Sequence, residues 1–132
     1  NEPRVQQWID ALRSGRFQQT QSALRRIEGL GVRSYCCLGV AQEVALDNGY
    51  QVDGRPADPD LIYWGEDGMN DTMARRWYGF TSGDPILEES DGDDIVTCVK
   101  ANDELRWGFQ SIADALEARY ITPKEAISGT TG

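Results

Sequence analysis

Tyr35-Cys36-Cys37-Leu38-Gly39-Val40, followed by Ala41-Gln42-Glu43-Val44-Ala45-Leu46-Asp47, is the stretch on which the fold turns. An almost unbroken apolar run leads into helix-forming composition, and only Gln42, Glu43 and Asp47 offer it a wet face. A helix that is apolar nearly all round is a buried one. The segment from Cys36 to about Asp47 is therefore expected to be the central core helix, the least exposed element of the chain. Asn48-Gly49 closes it with residues that accept a left-handed cap. The Cys-Cys-Leu-Gly-Val string answers no local chemical need and works as a signature rather than as a site. Neighbouring helical side chains diverge by about 100°, so a bond between Cys36 and Cys37 would be strained. With Cys98 the thiols number three, an odd count. That argues against a disulfide framework and for reduced, buried cysteines in a reducing cytoplasm.

On the N-terminal side, Val5, Trp8, Ile9 and Leu12 fall at the spacing of one buried helical stripe. Pro3 suits the first turn, and Ser14-Gly15 supplies a stop. Arg16 to Thr20 reads as a short extended piece or turn. Ser22 to Arg26 is ambiguous between short helix and loop, broken by Gly29 and Gly31. Beyond the central helix, residues 50–95 are rich in Gly, Pro and Asp. Tyr50-Gln51-Val52 is a possible strand ending in the Asp53-Gly54 turn, Met73 to Tyr78 a turn or two of helix, and Ile86-Leu87 a strand remnant. Ile95 to Val99 is a β-branched strand candidate after a polar hairpin tip at Glu88 to Asp94. Phe109, Ile112, Ala113, Leu116 and Tyr120 define a third amphipathic helix, Phe109 to Arg119. Thr122-Pro123-Lys124-Glu125 matches a capping box opening a short helix to Ile127.

These elements predict an α+β, predominantly helical fold: three main helices with a small antiparallel sheet or hairpin from the middle and Ile95 to Val99. Residues 1–127 are expected to form a single compact domain, with 128–132 a flexible tail. The predicted core is Trp8, Ile9, Leu12, Cys37, Leu38, Val40, Ala41, Val44, Cys98, Phe109, Ile112, Ala113 and Leu116.

Composition bounds function mainly by exclusion. No stretch approaches the roughly 18 consecutive apolar residues of a membrane span, so no membrane role is expected. The net charge is −9 and unevenly spread. Residues 1–33 carry six arginines against Glu2, Asp10 and Glu28, whereas residues 43–104 carry sixteen acids against Arg55, Arg75, Arg76 and Lys100. Gripping a phosphate backbone needs clustered Lys and Arg, so direct nucleic-acid binding is not expected of so acidic a chain. Histidine is absent, which removes the commonest general base and transition-metal ligand and with it any Cys–His or Ser-His-Asp constellation. Cys36 at a helix N-terminus has the position of an activated thiol, but its apolar surroundings favour a buried hydrophobe. Glu89, Asp91 and Asp93 alternate like the start of a calcium loop but lack its glycine and its twelfth-position Glu. The Glu66 to Asp71 cluster reads as a solvated turn. No catalytic residue, metal site or cofactor is expected, and the balance leans away from an enzyme.

Three segments carry a family resemblance. Trp8-Ile9-Asp10-Ala11-Leu12-Arg13-Ser14-Gly15-Arg16-Phe17-Gln18-Gln19 fits a W-x-x-A-L-R-S-G-x-(aromatic)-x-Q start. Tyr35 to Val40 forms a Y-C-C-L-G-V signature. Ala101-Asn102-Asp103 precedes Phe109 to Glu117, an F-x-x-I-A-D-x-(aliphatic)-E helix. In order and approximate spacing the chain resembles a group of small bacteriophage proteins, with the stretch Glu104-Leu105-Arg106-Trp107 expanded here. The resemblance implies a phage protein in the cytoplasm of a bacterial host cell and carries no catalytic residue with it.

Two binding expectations follow. The first is a phage accessory protein that binds a host bacterial protein, in host takeover or anti-defence. Its candidate anchors are Trp64, Arg75, Arg76, Trp77, Tyr78 and Trp107, since Trp, Tyr and Arg among polar loops suit interface anchors. The alternative is a protein sequestering a small nucleotide-type ligand, with Arg13, Arg16, Arg25, Arg26 and Arg33 on its phosphates and aromatics stacking its base. An acidic DNA mimic and a metal–carboxylate enzyme are lesser alternatives. The oligomeric state is not legible.

Overall fold

A computed structural model describes residues 1–63, 68–89 and 95–122, apart from the side chains of residues 60 and 61. The chain order is α1 (Glu2–Arg13), β1 (Gln18–Gln19), β2 (Arg25–Glu28), β3 (Val32–Tyr35), α2 (Cys37–Asp47), β4 (Gln51–Val52), β5 (Arg55–Pro56), α3 (Pro59–Tyr63), a first π-helix (Met73–Tyr78), β6 (Ile86–Glu89), β7 (Ile95–Thr97), a second π-helix (Lys100–Glu104) and α4 (Phe109–Tyr120). The architecture is α+β, and its three long helices are those the periodicity places. Two features widen the expected picture: the π-helical segments, and a three-stranded sheet in the N-terminal part beside the β4–β5 and β6–β7 hairpins.

α2 is the hub. Cys37, Leu38, Val40, Ala41 and Ala45 are fully buried. Cys36 stands one residue outside as its N-cap, and its Sγ accepts from the Gly39 N–H at 3.4 Å. Gln42, expected on a wet face, is instead fully buried, and its Oε1 accepts from Asn70 N–H at 2.7 Å. α1 packs on α2 through Trp8, whose indole N–H donates to the Cys37 carbonyl at 2.9 Å. Fully enclosed, that indole contributes several kcal/mol of apolar burial (about 25 cal/mol per Å²). Trp8, Tyr78 and Phe80 form a ring cluster with centroids 5.7–5.9 Å apart, and Tyr120 of α4 meets Phe80 at 5.0 Å. α4 closes against α1, where Arg13 pairs with Asp114 at 2.7 Å and Glu117 at 2.9 Å.

Ser22 to Arg26 is neither helix nor loop throughout: Arg25 and Arg26 begin β2, which pairs antiparallel with β3. Gly29 and Gly31, read as breakers, are the left-handed turn of that hairpin. β1 adds parallel to β3's other side. Ile95 to Val99 is strand only as far as Thr97; Cys98 and Val99 already turn into the second π-helix. All the predicted core residues are buried except Phe109, which is half-buried against that core. The terminal helix from Pro123, the tail and most of the polar hairpin tip lie outside the described residues.

The signature motifs turn out to be structural joints. Gly39 sits where a Cβ would lie 1.8 Å from the Leu24 carbonyl oxygen, so only glycine lets α2 meet the chain entering β2. Asn102 is fully buried. Its Oδ1 accepts from Cys37 N–H at 3.2 Å and Gln19 Nε2 at 2.9 Å, and its Nδ2 donates to the Thr20 carbonyl and to Asp103 Oδ1, each at 2.8 Å. One amide thus ties the second π-helix to the start of α2 and to the chain after β1.

Candidate functional site

The first π-helix positions a recess that holds two of the predicted site residues, Arg76 and Trp77. A π turn widens the helix and splays its side chains. Met73, Ala74 and Tyr78 go inward, Arg75 and Arg76 outward, and Gly79 ends the segment at φ 86°. Trp77 is half-buried and clamped. The Arg4 guanidinium stacks 3.6 Å from its ring centroid and donates to its carbonyl at 3.2 Å, while Tyr50 meets it edge-on at 5.9 Å. Tyr50 follows α2 at the Asn48-Gly49 turn, so the recess lies where the hub helix ends. It measures about 420 Å³ and is lined by Tyr50, Gln51, Asp53, Thr72, Arg76 and Trp77, among others.

Its lining carries two charged groups, the Arg76 guanidinium and the Asp53 carboxylate, with the Arg4 guanidinium stacked on Trp77. Arg76 is exposed and has no ion-pair partner among the described residues. Arg75 beside it is held by Asp71 at 2.9 Å. Burial pushes the Tyr50 phenol up, and the Arg76 charge opposes that shift. Both the Tyr50 hydroxyl and the Trp77 indole N–H are closed from solvent with no hydrogen-bond partner among the described residues. Such orphaned groups cost about 1–3 kcal/mol each. The recess therefore offers an incoming group the Arg76 guanidinium and the Thr72 side chain at its wall and an aromatic pair beneath.

The other predicted anchors separate. Tyr78 is a core residue, 1% exposed, with its hydroxyl donating to the Ala41 carbonyl, so it is corrected from surface anchor to scaffold. Trp107 is half-buried against the core near Gln19, which donates to its carbonyl at 2.8 Å. Trp64 lies outside the described residues. Tyr50 and Arg4 were missed as site residues because their sequence positions lie far from Trp77; an Arg beside a tryptophan-bearing turn has no local signal.

The five arginines of the ligand alternative do not converge as one set. Arg13 is committed to Asp114 and Glu117 in the α1–α4 seam. Arg26 faces Glu28 at 3.9 Å and donates to the Gln21 carbonyl. Arg25, Arg33 and Tyr35 share one face of the β2–β3 hairpin by register. Arg25 stacks on the Tyr63 ring at 4.2 Å, and Arg16 lies over Phe17, itself edge-on to Tyr35. The Tyr63 hydroxyl lies 2.8 Å from Glu43 Oε2 and 3.0 Å from the Gly39 carbonyl; burial first, then Glu43, pushes its phenol up.

The thiols take no part in any of this. Burial pushes the Cys36 thiol up to about 12 and the enclosed Cys37 thiol well above its ordinary value, aided by its contact with Cys98. No group of three or more metal-ligating side chains occurs among the described residues. No helix among them is long and apolar enough to cross a membrane.

Fold and site together define a small α+β protein in which a buried apolar helix carries an arginine–aromatic recess at its end. The chain belongs to the family described as Domain of unknown function (DUF8296), whose model matches residues 2–120. No curated protein and no solved structure matches it.

Proposed function

We propose that this chain is a small bacteriophage accessory protein that acts without catalysis, binding a host protein through the Tyr50–Arg76–Trp77 recess in host takeover or anti-defence. The observation that carries the reading is Arg76: an exposed guanidinium, unpaired among the described residues, at the rim of an aromatic recess. A guanidinium pairs with carboxylate in a fixed fork, and Arg and Trp are the residues on which interfaces concentrate their energy. The surrounding segment is strongly acidic, so it repels polyanions at range. That selects for a single carboxylate presented by a folded partner over a nucleic-acid backbone. The reading is tested by affinity capture from bacterial host lysate with wild type, Arg75→Ala and Arg76→Ala baits. One dominant protein held by wild type and Arg75→Ala, and lost with Arg76→Ala, supports it. Equal capture by Arg76→Ala refutes the recess as the binding surface.

The second reading, a nucleotide-type ligand, is favoured by the hairpin face that gathers Arg25, Arg33 and Tyr35 with Arg16 and Phe17 nearby. Denaturing the purified protein then releases an ultraviolet-absorbing small molecule, and Arg33→Ala lowers its yield.

A further inference from the structure

The β2–β3 hairpin holds three apolar side chains in water: Ile27 is 52%, Leu30 105% and Val32 58% exposed. Its first strand, β2, lies at the edge of the sheet in the order β1-β3-β2, with no described strand on its outer side. The hydrogen-bond phase of that edge follows from its neighbours. Cys36 N–H donates to the Leu24 carbonyl, and the register continues as Arg26 to Ser34 and Glu28 to Val32. In an antiparallel pair, bonded and non-bonded positions alternate. Residues 24, 26 and 28 therefore bond to β3 and its extension, and Ile27 turns its own N–H and C=O outward. Arg26 and Glu28 flank it on one face, 46% and 68% exposed, and their mutual contact is a long 3.9 Å.

Read antiparallel, Arg-Ile-Glu is its own complement. We propose that this edge pairs with the same edge of a second copy of the chain, Ile27 opposite Ile27 on a twofold axis. The two outward N–H and C=O pairs then bond across the axis. Arg26 of each copy comes directly opposite Glu28 of the partner subunit on the same face, and vice versa. The two isoleucines meet on the other face. An unrelated strand would satisfy the backbone, but the charge order commits the edge to itself, the isologous arrangement most dimers use. Pairing also removes an exposed apolar edge of the kind that invites uncontrolled association. The surface is distinct from the Arg76 recess and does not depend on it.

The test is sedimentation equilibrium over a dilution series with wild type, Arg26→Glu, Glu28→Arg and the double charge swap. Wild type dimerises. Each single variant places like charges opposite one another at two positions and weakens the dimer by at least about tenfold. The double swap restores it. An equimolar mixture of the two single variants regains dimer, because every cross-strand pair in the heterodimer is then Arg–Glu. Far-UV circular dichroism checks that the variants stay folded. A wild type that stays monomeric throughout overturns the proposal, and so does a dimer indifferent to the swaps or a mixture that stays monomeric.

Discussion

Replacing Gly39 by Ala opposes two effects of known size. On helix propensity alone Ala is better by about 1 kcal/mol, chiefly because the unfolded chain is stiffer than with Gly. At Gly39, however, the new Cβ falls 1.8 Å from the Leu24 carbonyl oxygen, 2.8 Å from its carbon and 3.3 Å from Tyr35 Cβ. To reach even a 3.0 Å contact, backbone atoms must part by about 1.2 Å. The oxygen to be moved is the one that accepts from Cys36 N–H at 3.2 Å. The substitution therefore overpacks the joint, at about 1–3 kcal/mol or more, and strains a hydrogen bond worth about 1 kcal/mol. Sterics win, because both sides of the clash are backbone rather than flexible side chain. A net loss of about 1–3 kcal/mol is expected, which lowers the midpoint of thermal unfolding by about 5–10 °C for a domain of this size. Calorimetry beside urea unfolding measures it, with Gly108→Ser as the companion: Gly108 caps α4 without a side-chain bond and has open space around it. That variant should gain a few tenths of a kcal/mol from a hydroxyl cap. A Gly39→Ala protein as stable as wild type would refute the close approach of α2 to Leu24.

Three further outcomes are expected. Asn102→Leu strands the Cys37 N–H and the Thr20 carbonyl, while the Gln19 amide keeps its bond to the Trp107 carbonyl; at about 1–3 kcal/mol for each orphaned group, chemical denaturation should register a loss of at least about 2 kcal/mol, and a loss under 1 would show the joint to be dispensable. Cys36, Cys37 and Cys98 are all buried and free, so a thiol reagent at mildly alkaline pH should label none of them in the native protein and all three in denaturant; fast native labelling of Cys36 would contradict its burial. The Glu117 carboxyl is held below its ordinary 4.5 by its hydrogen bond from Arg13. A depressed carboxylate contributes stability that is present above its unfolded value and lost as pH falls through the folded one. Midpoints of thermal unfolding should therefore fall less steeply below pH 4.5 in Arg13→Ala than in wild type, and identical acid slopes would discount the pair.

Much of the fold is legible from short-range pattern. The stripe of Val5, Trp8, Ile9 and Leu12, the apolar run from Cys37 and the spacing of Phe109, Ile112, Ala113 and Leu116 each repeat within a turn or two. Helical periodicity needs only that window. The β2–β3 hairpin escaped because Arg25, Arg26 and Glu28 give it no apolar alternation; its outer part is exposed, and only Tyr35 at its base is buried. Gln42 escaped because its burial is set by a distant partner, the Asn70 N–H on its Oε1, while its Nε2 is enclosed with no hydrogen-bond partner among the described residues. At the recess, Arg76 and Trp77 were legible as residue types that anchor interfaces, whereas Tyr78 was not separable from them, since a π turn rather than a regular helix decides which side chain goes inward.

By itself the sequence determined the three long helices, the burial of α2 and of the cysteines, and the uneven charge, all properties of composition or of neighbours along the chain. The tertiary structure decided that Arg4 clamps Trp77 from 73 positions away, that Asn102 gathers Cys37, Gln19 and Thr20, and that Gly39 must lack a side chain. The division has one physical cause. Periodicity records which face of an element is buried, but the partner across the interface is chosen by the packing of the whole domain, where contacts are set by volume and unsatisfied hydrogen bonds rather than by distance along the chain.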